Sequence, residues 1–135
     1  NKITNVIFLG FKPNSELPCY HKAADILFMP YDAEIKYQIM DINSTSPLKL
    51  FEYMASKRPI VTSDIPTIKK IVKNKKEAML AKLDHHVDLA NCIYDLLNDN
   101  KKAEQIANNA LKLVEKYSWE NRCKRILSKT TKVTI

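Results

Sequence analysis

Short apolar runs that alternate with amphipathic stretches constrain the fold of this 135-residue chain more than any other feature. The four runs are continuously apolar, and they lie near residues 5–9, 26–29, 59–62 and 78–80. Strands of this kind are typical of a parallel sheet that is covered by helices on both faces. Alternation of strands with helices builds such a sheet from right-handed βαβ units. The sequence therefore predicts one α/β domain, residues 1–135, with a parallel sheet of about four strands.

Amphipathic segments fill the intervals between these runs and the whole final third of the chain. Helices are predicted over residues 16–23, 48–56 and 66–72, and three more follow. The longest apolar stripe, residues 103–117, repeats at i, i+3, i+4 and i+7, and we expect it to face the sheet. Parallel sheets bind ligands beyond the carboxyl ends of their strands. The site is therefore expected where the long polar segment 31–47 and the loops after the first three runs open.

The charge balance admits several partners without choosing among them. The chain has 22 basic and 15 acidic side chains, a formal net charge of +7. Nucleic acid, anionic lipid and a phosphate-bearing small molecule all fit that balance, and so does a compositional bias of the source genome. The densest basic patch comprises Lys69, Lys70, Lys73, Lys75 and Lys76. Aromatic residues do not interleave with it and no recognition motif accompanies it, which argues against a nucleic-acid-binding module.

Cysteine and histidine spacing argues against metal sites and disulfides. Cys19, Cys92 and Cys123 lie far apart, which favours a reducing compartment, and we expect all three to be inert, small apolar side chains. The three histidines lack metal-binding spacing. No run approaches the ~18 apolar residues of a membrane span. The chain starts at Asn1, so we expect part of a longer protein, and no leader segment is predicted.

The segment most informative about chemistry is a polar loop that leads into a predicted helix, STSPLKLFEYMA at residues 44–55. Free N–H groups of a first helical turn, together with the helix dipole, attract anions. Ser46 is the expected N-cap and Pro47 fits at or just before the first helical position. Lys49 adds a cation suited to phosphate, and Glu52 can accept two hydrogen bonds from a diol such as ribose. A plain capped helix with a Lys49–Glu52 surface pair explains the same residues.

A family resemblance extends over nearly the whole chain, in order. Residues 46–66, SPLKLFEYMASKRPIVTSDIP, resemble the nucleotide-sugar-binding segment of GT-B glycosyltransferases of group 1, family 4 type. The flanking segments also resemble that family: VIFLG at 6–10, ADILFMP at 24–30, the helix at 84–97 and YSW at 117–119. The resemblance implies a Rossmann-like C-terminal domain that holds a nucleotide-sugar donor.

The resemblance also implies an activity and its setting. Enzymes of this family transfer a sugar from a donor such as a UDP- or GDP-sugar, with retention of configuration and without an essential metal. The acceptor would be a glycan or a glycolipid. The chain resembles the later two-thirds of the donor-binding domain, so the acceptor domain is expected to be absent and the chain alone inactive. The expected location is the cytoplasm, with peripheral association of the full enzyme at the inner membrane face as a further expectation.

Site residues are carried over position by position from the resemblance. Ser46, Pro47 and Leu48 match the loop whose backbone amides face the diphosphate, with Lys49 beside it. Phe11 and Lys12 match the turn that meets the base.

Four further residues either match the family pattern or depart from it. Glu52 matches the second glutamate of the E-x7-E motif and would bind the ribose hydroxyls. Ser44 stands where the first glutamate normally contacts the sugar, and Asp41 is the nearby carboxylate that could replace it. Lys57 stands where the family has a small glycine. The Ser44 departure keeps open a degenerate, non-catalytic interaction domain as the alternative function.

Overall fold

A computed structural model of the chain describes residues 3–32 and 46–130. Within these ranges the chain forms three strands and six α-helices. In chain order the elements are α1 (Leu17–Ala23), β1 (Leu27–Met29), α2 (Leu48–Ala55), β2 (Ile60–Ser63), α3 (Pro66–Lys69), β3 (Met79–Ala81), α4 (His86–Asn98), α5 (Asn100–Val114), a 3-10 turn (Glu115–Tyr117) and α6 (Trp119–Thr130).

The sheet is parallel throughout and has the order β1-β2-β3. Val61 in the central strand is in register with Phe28 on one side and with Met79 on the other. Every residue of β2 and β3 is buried, as continuously apolar strands lead one to expect. The predicted α/β class, with helices flanking a parallel sheet, is confirmed.

The predicted first strand, residues 5–9, is wrong, and the described sheet has three strands instead of about four. These residues are exposed, and Phe8 reaches 93%. A strand requires a neighbour that pairs with its backbone N–H and C=O groups. Apolar composition does not provide that neighbour: in the described residues β1 pairs with β2 alone, and residues 5–9 form no ladder.

Successive side chains of the strands point to opposite faces and build two core clusters. Ile60 and Leu80 lie in the first cluster, which is completed mainly by Leu50 and Met54 of α2 and Ile68 of α3. The second cluster contains the alternate strand residues Val61, Met79 and Ala81. Helices α4 and α5 add Cys92, Leu96 and Ile106 to it. Helix α5 contributes to both clusters, so its apolar stripe faces the core as predicted.

The three cysteines differ in burial. Cys92 is buried in the second cluster, where burial, helped by Asp88 and Asp95, raises the pKa of its thiol. An inert apolar role fits this residue. Cys19 and Cys123 are free and lie on exposed helix faces, and the inertness expected of them stays a prediction.

Ser63 joins the carboxyl ends of β1 and β2 through its side chain. Its hydroxyl accepts a hydrogen bond from the Tyr31 N–H (2.8 Å) and donates one to the Tyr31 carbonyl (3.2 Å). One residue earlier, the buried Thr62 hydroxyl donates to the Met29 carbonyl at 2.8 Å. These bonds continue the β1–β2 pairing past the end of β1, and they fix the point at which the chain leaves the sheet towards α2.

Lys57 ends α2 in the left-handed backbone region. The helix terminates at Ala55, Ser56 is the C-cap, and Lys57 follows with φ = 56°. Its N–H donates to the Met54 carbonyl at 3.4 Å. A glycine is the usual residue at this position because side chains with a Cβ are strained there. The positive φ thus explains why the family has a glycine at this position. Lys57 adopts the same φ with backbone strain.

Lys57→Gly is expected to raise the free energy of unfolding by about 0.5–1 kcal/mol. Relief of left-handed strain, roughly 1–2 kcal/mol, exceeds the extra entropy that glycine loses on folding. Urea denaturation measures the change. Lys57→Ala is the matched control, since it removes the same charge and keeps the Cβ. Equal stabilisation by both variants would assign the effect to charge and contradict the backbone argument.

Ser63→Ala is expected to destabilise the protein by about 1–3 kcal/mol. The change leaves two backbone groups of Tyr31 without their partner at the end of the sheet. Thr62→Val is the control in the same strand, because it deletes one hydrogen bond while keeping the side-chain shape. We expect the smaller loss for Thr62→Val in the same urea titration. A Ser63→Ala variant as stable as the wild type would refute the role of this bridge.

Candidate functional site

Helix α2 begins with an inverse γ-turn centred on Pro47. Pro47 has φ = −81° and ψ = 74°, and the Leu48 N–H donates to the Ser46 carbonyl at 2.9 Å. Pro47 is therefore the N-cap, and the prediction that Ser46 caps the helix is wrong. The helix begins at Leu48, as the sequence pattern predicts, and only the cap differs by one residue. Pro47 is buried, whereas Ser46 and Leu48 are exposed.

The first turn of α2 has part of its hydrogen-bonding capacity already engaged. Besides Leu48, the Leu50 N–H donates to the Pro47 carbonyl at 3.0 Å. Lys49 lies between them, with an exposed side chain at the positive end of the helix. An anion at this terminus would therefore be attracted mainly by the helix dipole and the Lys49 ammonium group. Fewer free backbone N–H groups are left to bind it than at an ordinary helix start.

Glu52 lies one turn beyond Lys49 on the exposed side of α2. Among the described residues its carboxylate takes part in no ion pair, so the surface pair with Lys49 that the sequence also suggested does not form. Burial raises the pKa of the neighbouring Tyr53, and the Glu52 charge raises it further. Both carboxylate oxygens of Glu52 are thus without an ion-pair partner among the described residues.

A cavity of about 320 Å³ lies between α1 and α2, and Glu52 forms part of its wall. Its lining residues come from the loop before α1, from α1 and from the second half of α2: Asn14, Leu17, Pro18, His21, Lys22, Glu52, Ala55 and Ser56. The two helices are held together where the His21 ring meets the Tyr53 ring edge-on, with centroids 5.0 Å apart. The cavity combines apolar walls with one carboxylate, one ammonium group, one amide, one imidazole and one hydroxyl.

Phe11 and Lys12 are not brought to this cavity. Phe11 is 93% exposed, and the Lys12 ammonium group lies 5.6 Å from the centroid of the Tyr20 ring on α1. The chain continues from them through Pro13 to Asn14, which does line the cavity. Gly10, with φ = 67°, starts this turn in a conformation that favours glycine. Ser44 and Asp41 lie outside the described residues.

Sequence reasoning missed the members of the cavity that α1 supplies. Asn14 belongs to no motif of the sequence, and His21 carries no spacing signal because its partner Tyr53 is 32 positions away. The sequence predicts a helix over residues 16–23, but it does not show that this helix packs beside α2. Only the three-dimensional fold shows that. Glu52, in contrast, was found because its helix and its motif are contiguous in sequence.

A larger cavity, about 900 Å³, lies at the amino ends of β1 and β2 and adjoins the α1–α2 cavity, since Lys22, Ala55 and Ser56 line both. It opens beside Ile26 and Pro59, which precede β1 and β2, and α5 forms its far wall. Parallel sheets bind ligands at their carboxyl ends, and none of the predicted site residues lines this space. Glu52, Lys49 and the start of α2 therefore remain the candidate site in spite of the larger volume elsewhere.

The lysine cluster of α3 and the following turn is partly neutralised. Lys69 forms an ion pair with Asp64 at 2.8 Å, and Lys76 pairs with the buried Glu77 at 3.3 Å. The Glu77 carboxylate also accepts a hydrogen bond from the Lys73 N–H at 2.9 Å. These contacts give part of the cluster a structural role and weaken its case as a nucleic-acid-binding surface.

Metal-binding and membrane-spanning features were sought in the same described ranges. Histidine, cysteine, aspartate and glutamate side chains of residues 3–32 and 46–130 form no group of three or more that could hold a metal ion. No helix in this part of the chain is long and apolar enough to cross a bilayer.

Comparison with known proteins gives relatives that are all longer than this chain. TuaH of Bacillus subtilis, named as a candidate teichuronic acid biosynthesis glycosyltransferase, is 35% identical over 72 residues, which are 53% of this chain and 17% of TuaH. A D-inositol 3-phosphate glycosyltransferase of Corynebacterium urealyticum is 27% identical over 122 residues, 90% of this chain and 26% of that protein. The chain thus spans about a quarter or less of these two relatives.

The fold has counterparts among solved structures. HepE of Anabaena, solved in complex with UDP, superposes with a TM-score of 0.73 at 21% identity, over 93% of this chain and 32% of HepE. At that identity the likeness shows the fold alone. Sequence decides the family: the model for glycosyl transferases group 1 matches residues 1–113, most of the chain. The chain therefore belongs to the group 1 glycosyl transferases.

Proposed function

We propose that this domain binds a nucleotide-sugar donor at the start of α2 and presents it for transfer of the sugar to an acceptor. The observation that carries the proposal is the placement of Glu52. Its carboxylate has no ion-pair partner among the described residues, lines the α1–α2 cavity and follows Lys49 by one turn. A cation at a helix N-terminus and an available carboxylate about one turn away match a diphosphate joined to a ribose.

The chemistry of each part follows from charge and hydrogen bonding. Lys49 and the positive end of α2 would stabilise the diphosphate, which is also the leaving group of the transfer. Glu52 would accept hydrogen bonds from both ribose hydroxyls, and such charge-assisted bonds are worth ~1.5–3 kcal/mol each. The apolar walls of the cavity supply contact area beside Glu52. The family membership and the UDP bound to HepE support a nucleotide as the ligand.

Several finer features belong to the same proposal. Transfer proceeds with retention of configuration and needs no essential metal. The acceptor is a glycan or glycolipid, and a second domain that this chain does not contain binds it, in keeping with the small share of each relative that the chain spans. The 135-residue chain alone would bind donor without turnover. A degenerate, non-catalytic domain remains the competing function, and it predicts no nucleotide binding at Glu52.

Glu52→Gln is expected to weaken nucleoside diphosphate binding by ~1–3 kcal/mol, because a charged acceptor becomes a neutral one. Stability should hardly change, since Glu52 is exposed. Isothermal titration calorimetry of the whole enzyme with UDP and with GDP measures the loss. Glu104→Gln is the control, since it removes the same charge from an exposed position that lines the larger cavity and not the α1–α2 cavity. Unchanged affinity in Glu52→Gln would eliminate the ribose contact.

Ser44→Glu tests the sugar-binding part of the site. In the wild-type enzyme, the diphosphate and the matching nucleotide-sugar are expected to bind within about tenfold, ~1.4 kcal/mol, because Ser44 offers the sugar no carboxylate. Ser44→Glu should leave diphosphate binding unchanged and alter only the additional affinity for the nucleotide-sugar. A wild type that binds the nucleotide-sugar a hundredfold tighter than the diphosphate would contradict this, and Asp41→Asn would then be the next variant to titrate.

A further inference from the structure

The side chain of Arg58 connects two parts of the fold that are 36 positions apart in sequence. Its Nη2 donates a hydrogen bond to the carbonyl of Lys22, the second-last residue of α1. The last carbonyls of a helix have no partner within the helix, and they carry the negative end of its dipole. A guanidinium group at this position therefore satisfies an otherwise free acceptor and matches its charge.

The main chain on both sides of Arg58 is held in place by the core. Lys57 lies in the left-handed region, and Arg58 itself precedes a proline, which confines it to extended conformations. Pro59 is buried, and its carbonyl accepts a hydrogen bond from the Leu27 N–H at 2.9 Å. Ile60, the first residue of β2, is completely buried. The guanidinium group thus extends from the core of the domain to a helix on its surface.

Helix α1 needs such an attachment because it is short and lies on the surface. It has seven residues, none of them buried, so apolar packing contributes little to its position. The edge-on contact between His21 and Tyr53 joins it to α2. This contact and the Arg58 hydrogen bond act on consecutive residues of the last turn, His21 and Lys22. Together they hold that end of α1 against α2 and against the start of β2.

The position of α1 determines the shape of the α1–α2 cavity. Half of the eight lining residues belong to α1: Leu17, Pro18, His21 and Lys22. Glu52 belongs to α2, whose position is set by the core through Leu50 and Met54. Arg58 does not line this cavity, but it lines the larger one that adjoins it. It can therefore act on a ligand at Glu52 only through α1.

We propose that Arg58 is a positioning residue, which clamps the end of α1 to the start of β2 and so keeps the α1–α2 cavity in the shape that binds the donor. Without this hydrogen bond, α1 would open more often, and only the closed fraction of the molecules would bind. The effect on the donor rests on the proposed function, whereas the clamp itself is a property of the fold. Because one donor meets one carbonyl here, a lysine at this position could replace the arginine.

Hydrogen–deuterium exchange of the whole enzyme measures the clamp in peptides that cover residues 17–24. The wild type is expected to protect amides bonded within α1, such as that of Ala24, which donates to the Tyr20 carbonyl at 3.2 Å. Arg58→Met removes the hydrogen-bond donor and keeps most of the side-chain stem. Its α1 amides should exchange roughly three- to tenfold faster, as expected for the loss of one hydrogen bond. Exchange in α2 and β2 should stay unchanged.

Isothermal titration calorimetry with UDP measures the consequence for the site. Arg58→Met should bind UDP about twofold or more weakly, and the loss cannot exceed the factor by which exchange rises, because the closed fraction changes no more than the opening equilibrium does. Saturating UDP should slow α1 exchange in the wild type and in this variant. Arg58→Lys, which keeps a charged donor, should restore both the protection of α1 and the affinity to within about twofold of the wild type.

Lys57→Met is the matched control. It removes the same charge from the adjacent, exposed residue, which lines the same larger cavity. Neither α1 exchange nor UDP affinity should change by more than about twofold, since an exposed charge at this distance is largely screened by salt. Circular dichroism and urea denaturation check that each variant stays folded.

Four results bear against the proposals in distinguishable ways. Unprotected α1 amides in the wild type, or equal exchange in the wild type and Arg58→Met, would overturn the clamp. An equal loss of UDP affinity in Arg58→Met and Lys57→Met would assign the effect to charge and overturn the positioning role. An affinity loss larger than the exchange factor would overturn it too, because Arg58 would then contact the ligand itself. A wild type that binds neither UDP nor GDP would contradict the proposed function, while the exchange comparison would still decide on the clamp.

Discussion

The structure depends on the position of β2 between its two neighbours. Among the strands of residues 3–32 and 46–130, this one alone pairs on both edges, and all of its residues are buried, so each of the two core clusters is built on one of its faces. Hydroxyl groups at its carboxyl end extend the pairing to the residues that follow β1. Leu50 and Met54 of α2 pack in the same cluster as Ile60, so the strand that organises the core also positions the helix that carries Glu52.

The candidate site lies between two helices that differ in burial: α2 is packed into the core, and α1 lies on the surface. Glu52 and Lys49 belong to a helix whose inner face, through Leu50 and Met54, is completely buried. Their spacing is therefore fixed by the core and not by the loops. The cavity beside Glu52 depends on α1, none of whose residues is buried. Helix α1 is held mainly by side-chain contacts such as that between His21 and Tyr53, so the cavity can adjust its width more easily than the carboxylate can move.

Sequence patterns predicted the elements that depend on one contiguous segment. They failed for features that depend on contact with a distant part of the chain. The parallel strands, the helix that carries Glu52 and the core-facing stripe of α5 all follow from periodicity within one segment. Residues 5–9 satisfy the same strand criteria, yet they lack a neighbour in the described sheet. The cap of α2 was misplaced by one residue because an inverse γ-turn has no strong sequence signature. His21 was missed because its role arises from packing between helices.

The exposed run at residues 5–9 has a consequence for the behaviour of the isolated chain. Its apolar side chains, Phe8 above all, face solvent, and in the described residues β1 has a strand neighbour on one side only. Unpaired backbone groups at a sheet edge and a β-prone segment form a template for intermolecular pairing. In the chain on its own, changes in residues 5–9 would therefore act on association between copies, whereas changes in the two core clusters would act on the free energy of unfolding.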